Sequence, residues 1–185
     1  LLASVGTQCA GQWLNAHRLL VCESGGQLNR LDLPAVTRTP IIALPQLYAI
    51  RMAPDARRLA VLGVLPGGSD QVIAWRDGVA PWRVIAPAAG IEADSLRFDP
   101  SSRWLLWRQN SRWQRYDLQT EQSLTLSLDD SSAAVSFARR TPYALIRGTV
   151  AGVPGLYRVD LATATATRVD VPLSGLRAVD LNSDD

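Results

Sequence analysis

Apolar and polar residues alternate along most of this chain, in short runs separated by clusters of Gly, Pro, Asn, Asp and Ser. Period two with β-branched and aromatic content predicts strands and little helix. The runs are also phased. Ile50-Arg51-Met52-Ala53-Pro54-Asp55-Ala56 leads into Arg57-Arg58-Leu59-Ala60-Val61, and Leu96-Arg97-Phe98-Asp99-Pro100-Ser101-Ser102 precedes Trp104-Leu105-Leu106-Trp107. Val135-Ser136-Phe137-Ala138-Arg139-Arg140 precedes Ala144-Leu145-Ile146, and Gly11-Gln12-Trp13-Leu14-Asn15-Ala16 precedes Leu19-Leu20-Val21. Val179-Asp180-Leu181-Asn182-Ser183-Asp184 begins a further copy. Aligned on Trp13, Met52, Phe98, Phe137 and Leu181, the pattern steps by roughly 40 to 45 residues, the period of propeller blades.

The repeats fall at 6–45, 46–90, 91–130 and 131–175, with a partial fifth at 176–185. Each accommodates four short strands. In the first, strands over 8–14 and 17–23 form a hairpin turning at Asn15-Ala16, Gly25-Gly26 makes the next turn, and strands follow over 27–33 and 37–44. Pro40 and Pro45 suit an outer edge strand, where a missing N–H costs no ladder bond. The second predicts strands over 59–65, 71–76 and 82–86, and the third over 103–108, 112–117 and 123–128. The fourth predicts 143–148, a loop at Ala151-Gly152-Val153-Pro154-Gly155, then 156–161 and 167–171. Third strands share Arg-x-Asp-Leu, at Arg30-Leu31-Asp32-Leu33, Arg115-Tyr116-Asp117-Leu118 and Arg158-Val159-Asp160-Leu161. An Asp leaving a strand bonds its own downstream backbone, so these are expected turn formers with the Arg as surface neighbours.

With these residues in view, the repeats resemble the PD40 repeats of TolB-type bacterial β-propellers. Met52-Ala53-Pro54-Asp55-Ala56 with Leu59-Ala60-Val61, and Phe98-Asp99-Pro100-Ser101-Ser102 with Trp104-Leu105-Leu106, match the turn and second strand. Tyr116-Asp117-Leu118 and Tyr157-Arg158-Val159-Asp160-Leu161 match the third strand. No copy keeps Pro-Asp-Gly. The resemblance implies an all-β propeller of four-stranded antiparallel blades, four whole and a fifth begun, in one domain over 1–185. Such propellers close with more blades. A fragment of a larger propeller is therefore expected, whose open strand edges invite another chain or a second copy.

Charge narrows the function classes. The net charge is +2, and every basic side chain is an arginine. The longest basic runs are Arg57-Arg58 and Arg139-Arg140, too dispersed for the concentrated basic face that nucleic acid requires. No apolar run is long enough to span a membrane, so membrane association is expected only through segments outside this chain. In the expected hairpin Cys9 and Cys22 oppose each other, which leaves two readings: a disulfide formed in an oxidising compartment, or two buried thiols.

Catalytic signatures are sparse. His17 is the one histidine and sits beside a hairpin turn. Neither a Gly-x-Ser-x-Gly elbow, nor zinc-spaced Cys and His, nor a phosphate-binding Gly-Lys-Ser/Thr loop occurs. Asp129-Asp130 and Asp184-Asp185 lack the spacing of a calcium loop. No catalytic, cofactor or metal residues are assigned. The position before each phasing residue reads Gln12, Arg51, Arg97, Ser136 and Asp180. On innermost strands these would either form a channel ring that binds an anionic ligand or satisfy buried polar atoms between blades. The expected function is a non-enzymatic protein-interaction or sensory propeller, acting outside the cytoplasm with a protein partner. By resemblance it would be the periplasmic part of an envelope complex or of a winged-helix transcription regulator of the CadC/ToxR type. The alternatives are the propeller of a prolyl-oligopeptidase-like hydrolase and a small-ligand-binding propeller.

Overall fold

A computed structural model describes residues 12–23, 26–129 and 135–170. Four consecutive groups of strands form there, each ordered as in the sequence. β1 (Gln12–Asn15), β2 (Arg18–Glu23), β3 (Gln27–Asp32) and β4 (Thr37–Ala43) make the first antiparallel sheet. β5 (Gln46–Met52), β6 (Arg58–Val64), β7 (Gln71–Asp77) and β8 (Arg83–Pro87) make the second. A single 3-10 turn, Ala93–Ser95, precedes β9 (Arg97–Phe98), β10 (Trp104–Gln109), β11 (Arg112–Asp117) and β12 (Gln122–Asp129). β13 (Val135–Phe137), β14 (Tyr143–Val150), β15 (Val153–Asp160) and β16 (Ala166–Val169) complete the set. The third and fourth groups join into one sheet through the pair Asp129↔Thr149. The chain divides into two compact units between Ala89 and Gly90.

Strand register makes the repeats equivalent. Trp13 pairs with Leu19, Met52 with Leu59, Phe98 with Leu105 and Phe137 with Ala144. The phasing residue of each first strand thus meets the same rung of its second strand. Because side chains alternate across a strand, equal register sends equivalent residues to the same face of every sheet.

Each unit holds a core between its two groups of strands. In the first, Leu20, Leu28 and Leu44 meet Leu47, Ile50, Leu59, Val61 and Ala74. In the second, Trp104, Leu106, Trp113, Leu126 and Leu128 meet Ala144, Ile146, Tyr157, Val159 and Leu161. Burying a large apolar side chain contributes about 1.5–3 kcal/mol, so the contact between sheets, more than the ladders themselves, holds each pair together.

Local details depart from the pattern in three places. The first hairpin turns at Ala16-His17, not Asn15-Ala16, and Gln12 faces Leu20. This register is shifted by one from that which would oppose Cys9 to Cys22; Cys9 lies outside the described residues. In the fourth group the turn is only Ala151-Gly152, and Val153, Pro154 and Gly155 belong to β15. Pro154 is tolerated because β16 pairs only with Leu156 to Val159 and asks for no N–H at that rung. The 3-10 turn is a single turn with no periodic signature, closed by the Ser95 hydroxyl on the Glu92 carbonyl at 2.5 Å.

Two of the turns after the phasing residues, β5–β6 and β9–β10, are capped by carboxylates. Asp55 Oδ1 accepts the N–H groups of Arg57 and Arg58 at 2.9 and 3.2 Å. Asp99 Oδ1 accepts from Trp104 N at 2.7 Å, and its Oδ2 accepts from Ser101 N and Oγ at 3.0 and 2.5 Å. The same five-residue span closes three of the four described turns, through Ala53 N to Arg58 O, Asp99 N to Trp104 O and Ala138 N to Tyr143 O. Where PD40 repeats carry glycine, Ala56 and Ser102 adopt φ of 56° and 62°. A Cβ in that left-handed region costs about 1–2 kcal/mol. Ala56→Gly is therefore expected to raise stability by about 0.5–1 kcal/mol after the entropy gained by the unfolded chain, read as a higher urea midpoint at unchanged slope.

Candidate functional site

Two of these turns and the end of β11 enclose a polar cleft of about 310 Å³ in the second unit. Asp99, Ser101, Arg103 and Trp104 come from the β9–β10 turn, Gln119 follows β11, and Ala138, Arg139, Arg140, Thr141 and Pro142 form the β13–β14 turn. Beneath it lies a linked set of charges. Arg103 grips the buried carboxylate of Asp117 with two bonds, Nε to Oδ1 at 3.1 Å and Nη2 to Oδ2 at 2.8 Å. Asp117 Oδ1 also accepts from Gln119 N at 2.9 Å, forming the turn expected of it. Asp160 does the same with Ala162 N and Thr163 N.

Arg115 is not the surface neighbour its motif suggests. It is only 7% exposed, and its Nη1 donates to the carbonyls of Leu161 and Ala162 in the β15–β16 turn. Its guanidinium lies over the Trp104 ring at 4.6 Å, and that of Arg103 at 4.4 Å. Arg30, by contrast, does pair with its Asp32 at 2.9 Å. Arg158 lies over the Tyr143 ring at 4.8 Å.

Burial pushes the Asp117 carboxyl up. The Arg103 bond, the Gln119 N–H, the Arg103 charge and the Thr120 hydroxyl outweigh it, so the group titrates below the usual carboxylate range. The bond to Asp117 in turn raises Arg103, against its partial burial. Burial lowers Arg115, with Asp117 and Asp160 opposing the shift and Arg103 adding to it. Arg139 and Arg140 are exposed, and among the described residues neither has an ion-pair partner. Asp99 lines the cleft too, but both its oxygens are engaged by the turn. The cleft therefore offers free cationic donors and no free carboxylate of its own, an arrangement suited to binding an anionic group.

The residues of the expected ring behave differently. Gln12, Arg51, Arg97 and Ser136 sit on equivalent rungs of their first strands, opposite Leu20, Ala60, Leu106 and Leu145. Arg51 Nη1 donates to the Ile50 carbonyl at 2.7 Å, and Arg97 Nη1 to the Leu96 carbonyl at 2.8 Å. Arg97 shares a sheet face with Leu106, which packs in the core against the following sheet. Burial lowers its pKa, with Asp94 opposing. Both guanidinium groups thus bond main chain beside them. Asp180 lies outside the described residues, as do Asp130, Asp184 and Asp185. His17 occupies the first hairpin turn and is exposed, and Asp129 pairs with Arg112 at 3.1 Å. Among the described residues, no three His, Cys, Asp or Glu side chains group to hold a metal. Sequence reasoning noted Arg139-Arg140 as a basic run but not as part of a site. The available signal was the absence there of the Asp that the β5–β6 and β9–β10 turns carry.

Asp117→Ala removes the charge-assisted pair and the turn bond together, with an expected loss of about 2–3 kcal/mol in urea denaturation at neutral pH. Because the folded pKa is depressed, this contribution is present above the unfolded value of about 3.9. It is lost as pH falls through the lower folded value. The stability gap between wild type and variant is therefore expected to hold down to about pH 4 and to narrow below it.

No protein-family model and no curated protein matches the sequence. Solved structures match its fold. TolB from Acinetobacter baumannii aligns with a TM-score of 0.58 at 14% identity, over 86% of this chain and 42% of its own. A putative TolB from Agrobacterium tumefaciens aligns at 0.58 and 13%, over 88% of this chain and 61% of its own. A chain of a nidogen/laminin complex aligns at 0.52 and 15%, over 85% and 60%. The chain thus spans about half the length of these structures. The antiparallel sheets in sequential order, their equal register and these likenesses give the fold: part of a β-propeller with TolB-like blades.

Proposed function

We propose that this chain is a non-enzymatic protein-interaction module, the extracytoplasmic part of a bacterial envelope complex or of a membrane-anchored regulator. The observation that carries this reading is the Arg139/Arg140 cleft, an exposed recess with unpaired cations held between two rigid turns. Loops mounted on a stiff sheet scaffold are the usual place for recognition. Further support comes from where the acidic groups go. Asp32, Asp55, Asp99, Asp117 and Asp160 are each engaged by turn N–H groups or an arginine, as structural carboxylates are. The likeness to TolB and to a chain of a nidogen/laminin complex is compatible with such a role, and the TolB likeness is the support for a place outside the cytoplasm.

The test uses the full chain in two assays. Crosslinking in the host cells, with reciprocal recovery, is expected to return one defined partner. Purified chain incubated with chromogenic peptide and ester substrates is expected to give no turnover above buffer. Turnover that survives purification and disappears with a substitution in this chain would replace the interaction reading with that of a hydrolase.

A further inference from the structure

The β13–β14 turn lacks a feature of the two turns that share its five-residue closure. In the β5–β6 and β9–β10 turns, the first N–H of the second strand, from Arg58 or Trp104, is accepted by the turn's own carboxylate. The equivalent N–H belongs to Tyr143, fixed by the shared closure of Ala138 N on Tyr143 O. Here the position of Asp99 is taken by Ala138 and that of Asp55 by Arg140. Among the described residues no side chain caps this turn or accepts from Tyr143 N. Loss of the acceptor, and arginines at the positions held by Pro54 and Asp55 or by Pro100 and Ser101, are complementary changes. Together they describe a place for a carboxylate that the chain itself does not supply.

We propose that the β13–β14 turn docks a carboxylate from an acidic segment of a protein partner, which takes the place that Asp55 and Asp99 fill in their own turns. Arg139 and Arg140 pair with it, and Tyr143 N–H is the backbone donor. A carboxylate carries one charge and is flanked by methylene groups. It suits a cleft whose lining also includes the apolar Ala138, Pro142 and Trp104. A phosphate dianion would meet stronger repulsion from Asp99, which also lines the cleft. This proposal rests on the interaction reading above and names the partner's chemistry at that site.

The probe is a blocked tetraglutamate peptide, titrated into the isotope-labelled full chain at low salt and followed by amide and arginine side-chain resonances. The Tyr143 amide and the Arg139 and Arg140 side chains are expected to shift together. Arg139→Ser/Arg140→Ser is expected to weaken binding about fivefold to tenfold, and Arg147→Ser, an exposed arginine of β14, less than about twofold. Arg140→Asp restores the internal cap. It should raise the melting temperature by about 2–4 °C while abolishing peptide binding. A stationary Tyr143 amide, equal losses in the Arg147 control, or equal binding of succinate at matched carboxylate concentration would each overturn the proposal. If the partner recovered by crosslinking persists with Arg139→Ser/Arg140→Ser, the docking site falls and the interaction module stands.

Discussion

A four-stranded sheet with apolar residues on its faces cannot be stable alone; each sheet here is completed by the neighbour it packs against. This constraint shapes the sequence of the central strands. In β10, Trp104 and Leu106 enter the core shared with the next sheet, while Leu105 and Trp107 are buried on the opposite face. The strand therefore reads as a continuous apolar run. In β14 only one face is fully covered: Ala144 and Ile146 are buried, Leu145 is half-buried and Arg147 is exposed. Alternation in one strand and its absence in another thus report how many faces are covered.

Packing alone would leave the angle between sheets loosely defined, since hydrophobic contact is not directional. The polar groups supply direction. Arg115 leaves the third sheet group to bond carbonyls at the end of β15, and Arg76 of β7 reaches the Ile41 carbonyl of β4 at 3.3 Å. Each guanidinium is desolvated in making that contact, and burial lowers both pKa values. Such bonds add little net stability but penalise other arrangements of the same apolar faces.

The fold was legible because its repeats state one pattern several times, and the phasing residues mark the first strand of each group. What escaped was decided by partners distant in the chain. Arg115 sits in a motif shared with Arg30, yet its acceptor lies 46 residues away and reverses its role from surface to core. Pro154 and Gly155 look like loop residues until the short reach of β16 is known. Asn15-Ala16 and Ala16-His17 lack a glycine to fix the turn, so the hairpin slipped by one. The cleft was hidden for a different cause. Its arginines were visible, but their meaning depends on a carboxylate missing from one turn and present in two others.

The pair Asp129↔Thr149 has a mechanical consequence. It joins the third and fourth groups at one backbone rung, while the first and second sheets remain separate ladders joined by side chains. Tension applied along the chain would therefore meet two kinds of resistance. The first pair of sheets can part by sliding apolar surfaces past each other. The second pair must also break a main-chain seam, which makes it the stiffer half of the array.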